Sequence, residues 1–272
     1  MSNYLRMQNP KTGSVQDIPA ACVNDHKARG WVECSVPDRR AELSGSVIGR
    51  HAGRSALVIA SGPSASSVPV ERLRAWADRE KLVTWATNDV FRMCGGKPFP
   101  RADYLLILDD NFWYAHAAAL HGYLRENPSC LPVLHFDPGD EAVTYQRIAI
   151  SMDETPDKRP AYQPGAYFHG NSSGIAAVQM AMHTGCKTVY LLGHDCKVIG
   201  GKTHGAGVRS GEELNNNYKQ GSGMIPGYRL LAEHGRAQGV TILNLSSESA
   251  VDCFPRITFD DIERRKSRRA KV

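Results

Sequence analysis

The chain has no apolar run near the ~18 residues that would span a bilayer, and no basic, apolar and small-residue succession of a secretory leader follows Met1. These absences predict a cytoplasmic protein with no membrane span. A disulfide framework is missing as well. The seven cysteines, Cys22, Cys34, Cys94, Cys130, Cys186, Cys196 and Cys253, are odd in number and include no CxxC pair. They read as reduced thiols rather than as bridges or a zinc site. Aromatics make up only 8% of the chain, and no aromatic-studded RNA-binding motif is present. Nucleic acid is therefore not an expected partner. No internal repeat is visible, which excludes solenoids and propellers.

What remains is a chain of 272 residues with 42% apolar and 22% charged residues, enough to bury one large core with an appendage. The net charge of +5 gathers partly at the end, where Arg264, Arg265, Lys266, Arg268, Arg269 and Lys271 crowd the last ten positions. Residues 261–272 are expected to be a solvated basic tail. Residues 1–40 differ in character. The turn signal Asn9-Pro10-Lys11-Thr12-Gly13 and the segment Arg29-Gly30-Trp31 supply too little apolar surface for a core, so they read as a small docking appendage. Residues 41–54, within a stretch rich in Ser, Gly, Arg and Glu, read as a linker, and 55–260 as the main domain.

In that domain strands and helices alternate. Strand-like runs fall at Ala56–Ala60, Leu82–Ala86, Tyr104–Leu108, Leu131–Phe136, Thr188–Leu192 and Val240–Asn244, with helices at Val70–Glu80, Phe112–Arg125, Ser173–Thr184 and Tyr228–Gln238. Pro138, Pro156, Pro160 and Pro164 leave little room for helices between 137 and 168. Hydrophobicity in the strands is continuous rather than alternating, so both faces of the sheet are covered. The fold class is α/β, Rossmann-like, with a mostly parallel sheet between helical layers and a small N-terminal appendage.

The strands end in polar residues: Ser61, Thr87-Asn88-Asp89, Asp109-Asp110-Asn111, Gly193-His194-Asp195 and Asn244. In a parallel sheet these ends share one edge, where open α/β sheets bind ligands. The turn Ser61-Gly62-Pro63-Ser64 is a candidate phosphate cradle: Gly62 permits close backbone approach, and the serines offer hydroxyls and amides. The plainer reading is an ordinary βα turn. Asn171-Ser172-Ser173-Gly174 opens a helix whose buried stripe is Ile175, Val178, Ala181 and Met182, with Ser172 or Ser173 as the N-cap. Its exposed amides favour an anion, although self-capping alone accounts for the same residues. Asp109 and Asp110 are candidate magnesium ligands, against the plainer role of capping the helix that follows. They lack the spaced Asp-x-Asp pattern of metal-dependent sugar transferases. His194 and His204 flank the loop after Leu192 and are candidate general bases.

Ala60-Ser61-Gly62-Pro63-Ser64, Ala86-Thr87-Asn88-Asp89, Asn171-Ser172-Ser173-Gly174, Tyr190-Leu191-Leu192-Gly193-His194-Asp195 and Asn244-Leu245-Ser246-Ser247-Glu248-Ser249 resemble, in order and spacing over about 200 residues, the bacterial sialyltransferases of the Campylobacter type. Related elements occur in the 6-hydroxymethylpterin pyrophosphokinase-like family and in phage proteins, and residues 9–31 resemble a short docking motif of tailed-phage proteins.

The resemblance implies that Ser61, Gly62, Pro63, Ser64, Asn88, Asn171, Ser172, Ser173, Gly174 and Asp195 hold a nucleotide sugar, CMP-linked, without metal. It implies that His204 deprotonates the acceptor hydroxyl, and that Tyr218 and Tyr228 stabilise the leaving phosphate. Two departures stand out: His204 has no aromatic neighbours, and Ser61 replaces the family's asparagine. Nucleotide binding is thus better supported than sugar transfer. A pyrophosphokinase-like enzyme using magnesium on Asp109 and Asp110, and a phage morphogenesis or virion-associated protein docking through residues 1–40, stay open as alternatives.

Overall fold

The computed structural model describes residues 4–11, 15–19, 22–34, 41–42, 47–89, 91–92, 98–99, 101–139, 143–151, 166–168, 172–203 and 224–269. In chain order the first elements are β1 (Tyr4–Gln8), β2 (Val15–Pro19), α1 (Val23–Ala28), β3 (Val32–Glu33) and β4 (Ala41–Glu42). Next come β5 (Ser55–Ile59), α2 (Val70–Arg79), β6 (Val83–Thr87), β7 (Tyr104–Ile107), α3 (Asp110–Ala115), α4 (Ala117–Glu126), β8 (Leu131–Leu134) and β9 (Phe136–Asp137). The chain continues through β10 (Gln146–Arg147), β11 (Ala149–Ser151), β12 (Ala166–Phe168), α5 (Ser173–His183), β13 (Thr188–Leu192), α6 (Met224–Ala237), β14 (Thr241–Asn244) and α7 (Phe259–Arg269).

Eight strands form one sheet in the order β14-β13-β5-β6-β7-β8-β10-β4, and every neighbouring pair in it is parallel. Continuous apolar strands make this possible, because successive residues feed opposite faces. Ala56 and Val58 of β5 pack with α5 and α6 in one core, while Leu57 and Ile59 pack with Leu73 and Trp76 of α2 and Leu120 of α4 in the other. From β5 the chain runs outward through β6, β7 and β8. It then returns to lay β13 on the other side of β5. The strand order therefore reverses between β5 and β13, which makes that junction the topological switch point.

Several local outcomes differ from expectation. The single helix expected over Phe112–Arg125 is two, α3 and α4, broken at His116, whose φ of −124° and ψ of 17° leave the helical region. Helix α5 shows no narrow stripe: every residue from Gly174 to Met182 is buried, because the sheet and α6 both press on it.

Residues 41–54, expected as a linker, are joined to the domain. Ala41–Glu42 add β4 to the sheet edge, Val47 is buried in the core, and the amides of Gly49, His51 and Gly53 donate to the carbonyls of His183, Thr184 and Gly185. At the other end, the basic run of the tail as far as Arg269 continues α7.

The N-terminal residues do build a small core. Met7, Ile18 and Trp31 are buried together under a sheet ordered β3-β1-β2-β9. Because β9 directly follows β8, the pairing of Val15 with Asp137 and Gln16 with Phe136 ties this unit to the main domain at the C-terminal end of its strands.

Candidate functional site

The switch point is sewn shut by its own hydrogen bonds. After β5 the chain turns through Ser61 and Gly62 into a single 3-10 turn at Pro63–Ser66. The Gly62 amide donates to the Gly193 carbonyl at 2.9 Å, the Ser64 amide to Asp195 Oδ2 at 2.7 Å, and the Gly193 amide to Ser64 Oγ at 3.0 Å. A Cβ on Gly62 would lie 2.3 Å from the Gly193 oxygen and 2.6 Å from Asp195 Oδ2. Gly193, at φ +76°, would drive a Cβ to 2.1 Å from the Ala60 oxygen. Both glycines are thus required by the approach of two strand ends.

The amides of Gly62, Ser64 and Ala65 are engaged within this junction, and Pro63 has no N–H. Two of the amides expected to cradle a phosphate, those of Gly62 and Ser64, thus serve the junction between the strand ends. Asp195 lies behind it, 1% exposed, and its Oδ1 has no hydrogen-bond partner among the described residues.

The start of α5 is the next element at this edge. Ser172 is the N-cap, its Oγ accepting from the Gly174 amide at 3.2 Å. Ser173 reaches across to β6, where its hydroxyl donates to Asn88 Oδ1 at 3.4 Å. Asn88 holds φ +46°, a left-handed conformation that asparagine tolerates better than most residues. It turns the chain at the end of β6 beside the switch point. The structure therefore brings Ser61–Ser64, Asn88, Ser172–Gly174 and Asp195 to one edge of the sheet. Asn171, His204 and Tyr218 lie outside the described residues.

Two expected roles change. Tyr228, proposed to meet a leaving phosphate, is 1% exposed and sits under α5. Its hydroxyl is 2.7 Å from His194 Nδ1. Burial raises its pKa well above the usual tyrosine value, against the smaller lowering by Ser172. His194 is itself 1% exposed. Burial pushes its pKa down to about 4, with the Val58 carbonyl opposing, so it is neutral at pH 7 and withdrawn from any acceptor.

A Cβ on Gly174 would meet His194 Cε1 at 3.0 Å and the Tyr228 hydroxyl at 3.1 Å. The small residue in this first turn is needed for packing onto that pair. No sequence signal links position 228 to 194; only the docking of α6 does.

At the end of β7, Asp109 caps α3 by accepting from the Phe112 amide at 3.2 Å. Asp110 accepts from the Asn111 amide and is buried. Among the described residues no group of three or more His, Cys, Asp or Glu is placed to hold a metal ion. No helix among them is long and apolar enough to cross a membrane.

The sheet order and its two helical layers define a Rossmann-like α/β protein whose strand order reverses at the β5–β13 junction. No protein-family model matches the chain, and no curated protein matches it. Among solved structures, a MAf glycosyltransferase from Magnetospirillum magneticum AMB-1 superposes with a TM-score of 0.50 at 15% identity, over 85% of this chain. That match spans 39% of the Magnetospirillum protein. The sialyltransferase CstII from Campylobacter jejuni, in complex with cytidine-5'-monophosphate, gives a TM-score of 0.44 at 12% identity, over 77% of this chain and 87% of the other. A complex of CST-II with a trisaccharide acceptor and CMP gives 0.43 at 12% identity, over 76% and 87%. At these identities the likeness is one of fold.

Proposed function

We propose that this chain binds a nucleotide sugar, CMP-linked, at the switch-point edge and transfers the sugar to an acceptor hydroxyl. The observation that carries the reading is the contact of Ser173 with Asn88, which joins the start of α5 to the end of β6 beside the β5–β13 junction. It brings three separated motifs of the sialyltransferase-like pattern to one edge of the sheet. The Magnetospirillum protein that shares the fold is itself a glycosyltransferase.

The anion is assigned to the N-terminus of α5, whose dipole favours negative charge. The Asn88 carboxamide nitrogen is the side-chain donor offered to it, held by the Ser173 hydroxyl, which donates to Asn88 Oδ1. With His194 buried and neutral, the acceptor's proton goes to His204, and its oxygen attacks the anomeric carbon as the bond from that carbon to the phosphate oxygen breaks, inverting the configuration and releasing CMP.

Thermal unfolding in the presence of CMP, UMP, GMP or AMP, each with and without magnesium, tests the binding. A ligand at a hundredfold excess over its Kd stabilises by about 3 kcal/mol. CMP is expected to raise Tm without magnesium. A shift that needs magnesium would favour pyrophosphoryl chemistry on Asp109 and Asp110, and no shift with any nucleotide would remove the reading. His204→Ala is expected to abolish turnover of a CMP-sugar while sparing CMP binding; an active variant would remove His204 as the base.

A further inference from the structure

Away from the switch point, where β13 and β14 begin, a cavity of about 250 Å³ opens between the last turns of α5 and α6. Part of its lining is apolar: Met182, Val240 and Cys186 are buried there. Ile48 also lines it and is 42% exposed, one of two large apolar side chains among the described residues left so open to water. The polar lining is of one sign. Lys187 contributes an ammonium that donates to the Gln238 carbonyl at 3.4 Å and pairs with no carboxylate among the described residues. His183 and His234, one from the last turn of each helix, bring their ring centroids to 6.4 Å at an interplanar angle of 73°. Among the described residues no aspartate or glutamate lines the cavity.

This lining discriminates between ligands. A divalent cation would meet an ammonium, two imidazoles and a thiol, with no carboxylate to complete its shell. An anion meets the ammonium directly and can draw a proton onto the imidazoles. Burial pushes the His234 pKa down to about 4, with His183 adding to the effect, and lowers His183 as well, so both rings are neutral and have a proton to gain. That proton would arrive at two helix C-termini, whose dipoles favour positive charge. The other titratable group of the lining is the Cys186 thiol, which burial raises against the smaller effects of Thr184 and Arg54 and which therefore stays protonated. The volume, about eight times that of a water molecule, suits a single ring or a short chain.

We propose that this cavity is a second ligand site, taking a small organic carboxylate whose apolar body lies against Ile48, Met182 and Val240 and whose anionic group meets Lys187 and the His183–His234 pair. Helix α5, 11 residues long, separates it from the switch-point edge by about 16 Å. The site stands whether or not the chain binds a nucleotide.

Benzoate titrated into the 15N-labelled chain at pH 5.5, 6.5 and 7.5, and followed by amide shifts, tests it. Saturable shifts are expected at Cys186, Lys187, His234 and Gln238, with Ser173 and Asn88 unmoved. Affinity is expected to rise as the pH falls, by up to about tenfold per unit where one proton is taken up. Lys187→Met is expected to bind about tenfold more weakly at every pH. The His183→Gln/His234→Gln double variant is expected to keep the affinity seen at pH 7.5 and to lose the rise below it. Should that variant fold poorly, calorimetry of the wild-type chain in buffers of different ionisation heat reads the same proton uptake.

A flat pH profile in the wild type, shifts confined to other residues, or no saturation would overturn the proposal. So would benzamide, the uncharged counterpart, binding as tightly as benzoate. Inorganic phosphate binding as tightly would overturn it too, because the apolar lining would then contribute nothing. A cavity that takes zinc ion and refuses benzoate would be a metal site instead.

Discussion

His194 shows how burial reverses what a residue type promises. A histidine at a strand end reads as a base, yet enclosure lowers its pKa to about 4 from the usual 6.5 and keeps it neutral. The consequence for stability has a definite sign. Between pH 6.5 and about 4 the unfolded chain binds a proton that the folded chain refuses, so stability falls as pH drops through that window and is unaffected above it. The full effect is on the order of 3 kcal/mol. Burial lowers His183 and His234 as well, and both act in the same direction. Urea denaturation at pH 7 and pH 4.5 measures this, and His194→Gln is expected to flatten the difference. An equal pH dependence in the variant would show that His194 is not the titrating group. At this scale the sequence was a partial guide: it singled out His194, Gly62 and Gly174, but the neighbours that decide their duties lie far away along the chain.

Among the elements, α7 separates a contact that is visible from one that stabilises. Arg72 of α2 forms ion pairs with Asp260 and Glu263 at the surface and lies over the Phe259 ring at 5.1 Å. Phe259 is 6% exposed and meets the Trp76 ring edge-on at 5.3 Å. Exposed ion pairs are screened and entropically costly, so Arg72→Ala is expected to leave the unfolding midpoint nearly unchanged. Phe259→Ala empties a buried site and is expected to cost about 3 kcal/mol, read from urea unfolding. A larger loss in Arg72→Ala than in Phe259→Ala would overturn that ordering. The strands and α2, α5 and α6 were legible because continuous Val, Ile and Leu runs and apolar periodicity are local signals. The break at His116 was not, since neither glycine nor proline marks it. The pairing of β2 with β9 was hidden too, because it joins segments that share no pattern.

For the whole molecule, the eight-stranded sheet draws nothing from residues 1–34. Their removal uncovers β9 and the fully buried Phe136, but no strand of the main sheet loses a neighbour. The shortened chain is expected to unfold cooperatively in urea at a lower midpoint and to retain CMP binding. Loss of cooperative unfolding would make the N-terminal unit integral to the fold. The two-layered sheet was readable from composition and strand pattern. The attachment of residues 41–54 was not, because polar, glycine-rich chain looks the same whether it lies on a surface or spans a gap.

The β5–β13 junction also sets the order of folding events. Its stitching bonds join residues as far as 131 positions apart, Ser64 to Asp195, while β5, β6, β7 and β8 pair in sequence. Closing so long a loop loses chain entropy before any contact repays it, so the junction is expected to assemble after β5–β8 have paired. A nascent chain that ends at Arg147 carries six of the eight strands but lacks β13 and the Gly193 and Asp195 that close the junction.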